Sequence, residues 1–255
     1  MLLIKGGNII DGTGKSAYRA DILVSQDKIS AIGIFPKKEG VEVIDALGLN
    51  VCPGFIDVNT DSDHELTLFS NPSQVSFLLQ GVTTIIGGHC GSSLAPLLYG
   101  SLESIRKWVD PNQINVNWHS VKDFLTTLSL RKLGINFGTL VGHSTIRRAL
   151  IGEDMRDLTD NELSVFKNIL TLSLEEGALG LSTGLGYAHS NLVPYSEIAV
   201  LTKIVSKFGA IYSTHLRNEE KDLEKSIQET ISITQENNLN TLISHLLPIK
   251  GYEKN

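Results

Sequence analysis

Six apolar runs, at 52–59, 83–90, 135–143, 178–184, 210–217 and 241–247, alternate with stretches of helical period from Val51 onward. This alternation constrains the fold more than any other feature. A strand that is apolar at nearly every position needs cover on both faces, which a parallel sheet flanked by helices provides. The segments between the runs carry helix signals. Thr159-Asp160-Asn161-Glu162 is a capping box ahead of Leu163, Phe166, Ile169 and Leu170, and Gly177 is the stop. Ile198, Leu201, Ile204 and Val205 repeat at helical spacing before Gly209, and Leu223, Ile227 and Ile231 mark a further apolar stripe. Strand–helix units in series specify an α/β fold. The first strand-to-helix turn lacks the GxGxxG of a doubly wound fold, and polar residues gather at the ends of many strands. A (β/α)8 TIM-type barrel is therefore the expected closure. Only six units are visible, and a barrel open by two strands would expose two buried-type edges. The sequence is accordingly expected to be the N-terminal portion of a longer protein.

The first 52 residues differ. Strand-like segments at 2–5, 8–11, 20–25, 28–34 and 41–45 are punctuated by glycine and charge and show no helical period. Gln26-Asp27 is placed as a two-residue hairpin turn. The expected organisation is an all-β segment over 1–52 ahead of an incomplete barrel over 53–255.

Composition narrows the function class. The chain has 255 residues, 41% hydrophobic and 20% charged, with a formal net charge of -6 and no long basic run, so neither nucleic acid nor an anionic membrane is an expected partner. Its two cysteines make no disulfide framework, which favours a reducing compartment. The start lacks the basic and apolar regions of a signal peptide, and no apolar stretch approaches the roughly 20 residues that span a bilayer. The expected location is cytoplasmic.

Barrel enzymes collect their chemistry where strands end. Asp57, Asn59, Asp61, Asp63 and His64 follow the first run; His89 and Cys90 close the second, His143 the third, His215 the fifth and His245 the sixth. His215 and His245 each close an apolar run one strand–helix repeat apart, so a parallel barrel sets them side by side at its catalytic rim. Imidazole and thiolate both suit Zn2+, and three protein ligands leave a position open for water. Cys90, His215 and His245 are thus the best metal-ligand candidates. Plainer readings compete. A single strand-end histidine is commonly a hydrogen-bonded structural residue, and cysteine packs as a small buried hydrophobe, the reading kept for Cys52. His143 would orient a helix start or a group behind the ligands, and His119 is a loop residue. Asp57, Asp61 and Asp63 are candidate ligands or a solvated turn in equal measure.

Several of these segments are familiar. Pro53-Gly54-Phe55-Ile56-Asp57 resembles the segment that opens the barrel in amidohydrolases such as hydantoinases and dihydroorotases. More specific segments resemble the N-acyl-D-amino-acid deacylases (D-aminoacylases): Gly81-Val82-Thr83-Thr84, residues 91–96 after Cys90, residues 140–147, residues 177–185, Thr214-His215-Leu216-Arg217-Asn218-Glu219, and Ile243-Ser244-His245. They occur in that family's order over nearly the whole chain.

The resemblance implies a composite fold, in which the N-terminal β segment contributes to a small β-sandwich beside the barrel. It implies one tight zinc held by Cys90, His215 and His245, and hydrolysis of a small-molecule N-acyl-D-amino acid, or a related amide, to an amino acid and a carboxylate. The family's His-x-His after the first strand, which serves a second and weaker metal, is replaced here by Asn59 and Asp61, of which Asp61 alone offers a ligand oxygen. The catalytic aspartate that acts as general base is expected beyond Asn255. Lys250 is expected to meet a substrate carboxylate, and Arg217 to meet an anionic substrate or to form a structural ion pair. A cyclic-amide hydrolase of the hydantoinase or dihydroorotase kind, and a catalytically inactive truncated homologue, are the alternatives.

Overall fold

The computed structural model describes residues 1–37, 39–247 and 251. It contains two compact units, Met1–Phe55 and Ile56–Asn255. In the first, β1 (Leu2–Ile9), β2 (Tyr18–Ser25), β3 (Lys28–Gly33), β4 (Glu42–Asp45) and β5 (Asn50–Val51) form one sheet in the order β3-β2-β1-β4, with β5 also pairing β1. The two hairpin pairings are antiparallel, whereas β4 and β5 run parallel to β1. Gln26, at φ 57°, makes the turn between β2 and β3.

The separate strands expected at 2–5 and 8–11 are one strand. Its register shifts between Ile4 and Gly7, and Gly6 takes φ +74°. The buried Asp21 carboxylate satisfies this irregularity: it accepts the Gly6 amide at 2.7 Å and the Phe35 amide at 2.9 Å, with the Lys5 ammonium at 3.3 Å. The Phe35 amide is the main reason that the Asp21 carboxyl lies below its ordinary pKa. A glycine pair that reads as a break is therefore a β-bulge held by a side chain. Cys52, expected to be buried, is exposed.

The second unit alternates strands and helices. Its strands are β6 (Phe55–Asp57), β7 (Val82–Gly87), β8 (Asn136–Thr139), β9 (Val141–Gly142), β10 (Gly180–Gly184), β11 (Ile211–His215) and β12 (Asn240–Ile243). Its helices are α1 (Thr67–Ser70), α2 (Val75–Leu78), α3 (Val121–Ser129), α4 (His143–Ile151), α5 (Asp160–Glu175), α6 (Tyr195–Lys207) and α7 (Leu223–Asn237). The strands pair in the orders β6-β7-β8 and β9-β10-β11-β12, and the pairings of β7 with β8 and among β9 to β12 are parallel. Leu140 alone separates β8 from β9, and its amide donates to Gly87 O at 3.0 Å. The strand order follows the chain without reversal, unlike a doubly wound sheet, which reverses at a switch point. Among the described residues no helix is long and apolar enough to cross a membrane.

Helix faces follow their sequences with one exception. The capping box at Thr159 and Glu162 is formed, and α5 buries Phe166, Leu170 and Leu174. On α6, Ile198, Leu201 and Val205 are buried. On α7, however, the buried line is Leu223, Ser226, Thr230 and Ile233, while Ile231 is 40% exposed. Ser226 and Thr230 donate their hydroxyls to the carbonyls of Asp222 and Ser226 within the helix. Satisfied in this way, two small polar residues can occupy the inner face that an apolar count assigns to Ile227 and Ile231.

Backbone contact in the sheet is closest at Gly180, where a Cβ would stand 1.8 Å from Ile211 O on the paired strand. Gly180→Ala is expected to destabilise the protein by at least about 1–3 kcal/mol, the usual range for overpacking. A urea unfolding midpoint equal to that of the unchanged protein would contradict this account of the β10–β11 contact.

Candidate metal centre

Three strand ends bring Cys90, His215 and His245 together. Cys90 lies in the turn after β7, where Gly88 and Gly91 have φ +78° and +77° and Cys90 itself has φ +53°. A non-glycine residue in this region costs about 1–3 kcal/mol, so its surroundings must hold it there. Ser182 on β10 accepts the Gly91 amide at 3.2 Å and donates to Gly88 O. Gly91 O accepts the Ser144 amide of α4 at 2.7 Å. A Cβ on Gly184 would lie 2.2 Å from Cys90 O, so only glycine there lets the turn settle onto β10.

His215 ends β11, and His245 follows β12 by two residues. The Ser244 amide donates to Thr214 O at 2.9 Å, and the Ser213 and Ser244 hydroxyls meet at 2.9 Å. Adjacent parallel strands thus place both imidazoles on one rim, with ring centroids 4.4 Å apart and edge to face.

Cys90 Sγ lies 3.9 Å from His215 Nδ1 and 3.8 Å from His245 Nε2, and all three donor atoms are within 4.8 Å of one another. Zinc bonds of about 2.3 Å to sulfur and about 2.0–2.1 Å to nitrogen, at a tetrahedral angle, separate sulfur and nitrogen by about 3.5 Å. The two sulfur–nitrogen distances lie within a few tenths of an ångström of that value, and the three donors are close enough to share one cation.

Electrostatics agree. Burial, reinforced by the neighbouring His245, lowers the His215 pKa to about 4, so its imidazole is neutral and keeps a lone pair at ordinary pH. Burial pushes the Cys90 thiol up to about 11. The pocket therefore disfavours a thiolate unless a cation compensates it, and a coordinated thiol is deprotonated outright.

The surroundings are polar and largely matched. Glu219 Oε1 is 3.1 Å from His245 Nδ1, and its Oε2 is 3.9 Å from His215 Nε2. Tyr187 packs on His215 with ring centroids 4.7 Å apart, and the Lys107 ammonium sits 3.1 Å from the centre of the Tyr187 ring.

The other residues singled out in the sequence have different fates. Asn59 donates to Ser244 O, and Asp61 receives His64 Nδ1 at 3.1 Å, which lowers the Asp61 pKa. His64 Nε2 faces Ser92 O at 3.0 Å, and the ring stacks on Trp108 at 4.1 Å. Asp57 accepts the Asn59 amide at 3.2 Å. Asp63 is no solvated turn residue: it is fully buried and accepts the Gly88 amide at 2.7 Å, beneath the Cys90 turn. His143 begins α4 and meets Glu197 at 2.8 Å, with Arg147 on the same carboxylate oxygen at 3.3 Å. His119 contacts Leu97 O at 3.1 Å.

The Arg217 guanidinium holds Glu229 through two bonds of 2.7 and 3.0 Å and also donates to Asn191 O, an ion pair that ties the loop after β11 to α7. Lys250 lies outside the described residues. The sequence reading assigned no role to Glu219, Tyr187 or Lys107. The only local signal was Glu219's position four residues after His215 in a strand-end loop.

No family model matches the chain. It is 35% identical over 244 residues to the N-acyl-D-aspartate deacylase of Alcaligenes xylosoxydans xylosoxydans, covering 95% of this chain and 48% of that protein. Among solved structures, the N-acyl-D-glutamate deacylase of Bordetella bronchiseptica, in complex with zinc and a phosphonate inhibitor that mimics the tetrahedral intermediate of the reaction, has a TM-score of 0.86 at 30% identity, covering 95% of this chain and 50% of its own. A D-aminoacylase with a binuclear metal centre, described by one-metal activation and second-metal attenuation, has a TM-score of 0.83 at 30% identity, with the same coverage of 95% and 50%. The chain thus spans about half the length of the curated relatives it matches.

Near the centre, His189 accepts or donates a 2.8 Å hydrogen bond with Ser144, and burial lowers its pKa to about 3. Between pH 6.5 and 3 the unfolded chain binds a proton at this residue that the folded chain does not. Stability therefore falls as pH drops through that window and is unaffected by His189 above it. His189→Gln is expected to reduce the slope of unfolding free energy against pH there by up to about 1.4 kcal/mol per pH unit. The check is urea unfolding in the presence of chelator at a series of pH values, and an unchanged slope would contradict a neutral, half-buried His189.

Proposed function

The chain belongs to the N-acyl-D-amino-acid deacylase (D-aminoacylase) family of the amidohydrolase superfamily, and we propose that the intact protein hydrolyses an N-acyl-D-amino acid to a D-amino acid and a carboxylate. The carrying observation is the convergence of Cys90 Sγ, His215 Nδ1 and His245 Nε2 within 4.8 Å of one another. On this reading these residues hold one tightly bound zinc. Bound there, zinc would supply Lewis-acid polarisation of the amide carbonyl and a lowered pKa for water. The chain's own residues bind and orient. Cys90 and the two imidazoles fix the position of the cation, and the Tyr187 ring covers His215. Among the described residues, the Lys107 ammonium over the Tyr187 ring is a charge that can meet a substrate carboxylate.

A single metal is favoured by what Asn59 and Asp61 do. Asn59 spends its amide on Ser244 O, and Asp61 is paired with His64. The two His64 nitrogens face the Asp61 carboxylate and the Ser92 carbonyl, both acceptors, and although burial opposes it, the neighbouring Asp63 and Asp61 carboxylates raise the His64 pKa, which favours the charged ring beside Asp61. The same reading gives the protein a complete (β/α)8 barrel, supported by a strand order that never reverses, and a β-sandwich to which the segment 1–52 contributes.

Assays of the intact protein on N-acetyl-D-amino acids and on hydantoins, with metal analysis, test the proposal. The expected result is release of D-amino acid with about one zinc per chain, and loss of both zinc and turnover to background in Cys90→Ala and in His215→Ala. Hydantoin opening without deacylation would replace the substrate class. Deacylation that survives full removal of metal would overturn the reading.

A further inference from the structure

Each imidazole at the centre has one nitrogen directed at Cys90 and one directed away. The two that face away, His245 Nδ1 and His215 Nε2, converge on the same carboxylate: Glu219 Oε1 is 3.1 Å from the first, and Glu219 Oε2 is 3.9 Å from the second. We propose that Glu219 is a positioning residue whose carboxylate fixes both imidazoles in the tautomers that present lone pairs toward Cys90 Sγ. This rests on the proposed metal site and assigns a residue that acts on it through its ligands.

The chemistry follows from donor and acceptor inventory. A neutral imidazole carries one N–H, and the nitrogen without it has the lone pair. A carboxylate only accepts, so it draws the proton of His245 to Nδ1 and leaves Nε2 free to act as a donor to a cation. On the other oxygen, 3.9 Å is longer than a hydrogen bond. It is nevertheless the distance of a negative charge biasing the His215 proton to Nε2, and it leaves room to tighten. A ligating histidine commonly gives its second N–H to a carboxylate in this way, which fixes the ring orientation and raises ligand basicity. One carboxylate serving two ligands also locks the angle between their rings.

The fold holds Glu219 where this requires. It lies in the loop from β11 to α7, which is pinned on both sides. Upstream, Arg217 is fixed by Glu229 on α7 and by Asn191 O. The Asn218 amide also donates to Ser226 Oγ at 3.0 Å, and Asn218 Oδ1 accepts the amides of the downstream residues Glu220 and Asp222. The Glu219 side chain is only 16% exposed. The Gly186 backbone packs against the far nitrogen of His215: a Cβ there would stand 2.6 Å from His215 Nε2. A carboxylate–imidazole pair buried to this extent is well placed to order both side chains before a cation arrives.

The test compares Glu219→Ala and Glu219→Gln in the intact protein with two readouts. Zinc affinity, measured by competition with a chelating indicator, is expected to fall about 10–100-fold in Glu219→Ala. Glu219→Gln should recover most of that loss, because the amide oxygen still accepts the His245 Nδ1 proton. In metal-free protein, nitrogen NMR of the histidines should find His245 protonated at Nδ1 in the unchanged protein and in Glu219→Gln, and a mixture of tautomers in Glu219→Ala. Affinity and tautomer both unchanged in Glu219→Ala would overturn the proposal, as would an equal loss of affinity in the two variants. If the unchanged protein takes up no zinc, the hydrolase reading fails, and the tautomer measurement still decides the role of Glu219.

Discussion

The close approach of the Cys90 turn to β10 is the constraint on which the centre depends. Cys90 carries its side chain to His215 and His245 only because its backbone adopts a left-handed conformation. That conformation is held where three elements leave no space for an alternative. Gly184 and Gly91 let two backbones meet, Ser182 ties the turn to β10, and Ser144 ties it to the start of α4. The strain, about 1–3 kcal/mol, is offset by these hydrogen bonds and the packing beneath them. A flexible loop in its place would leave the sulfur free to move away from the nitrogens.

Charge around the centre is arranged in local pairs. His64 answers Asp61, His143 and Arg147 answer Glu197, and Arg217 answers Glu229. Burial opposes ionisation of Glu197, yet His143 and Arg147 hold its carboxyl below the ordinary range. Breaking a buried pair leaves an uncompensated charge, which is far more costly than the pair is worth, so these partners fix the loops they join. At the centre itself a buried sulfur whose ionisation burial disfavours stands against two imidazole nitrogens.

Much of the scaffold could be read from residue pattern. The alternation of apolar runs and helical stretches placed the strands, and the capping box at Thr159 and Glu162 formed as written. Cys90, His215 and His245 stood out because each closes a run. Misreadings came where pattern and packing part. Ile227 and Ile231 outrank Ser226 and Thr230 in hydropathy, but hydroxyls satisfied within the helix can face inward at no loss. Gly6-Gly7 looks like a break because sequence does not show Asp21 filling the bulge. Asp63 looks like part of a solvated acidic turn, and only the folded chain sets it under Gly88.

The sequence by itself determined which residue types stand at the strand ends, since strand and helix periods are local and the chain writes them out in order. The tertiary structure decided which of those residues face one another and which are already engaged. Cys90 and His245 are 155 residues apart, and no spacing rule links them. Arg217 and Glu219 are neighbours in one loop, yet one is spent on a helix and the other turns to two imidazoles. Side-chain partners depend on the three-dimensional course of loops, and that course is set by backbone contacts between distant strands.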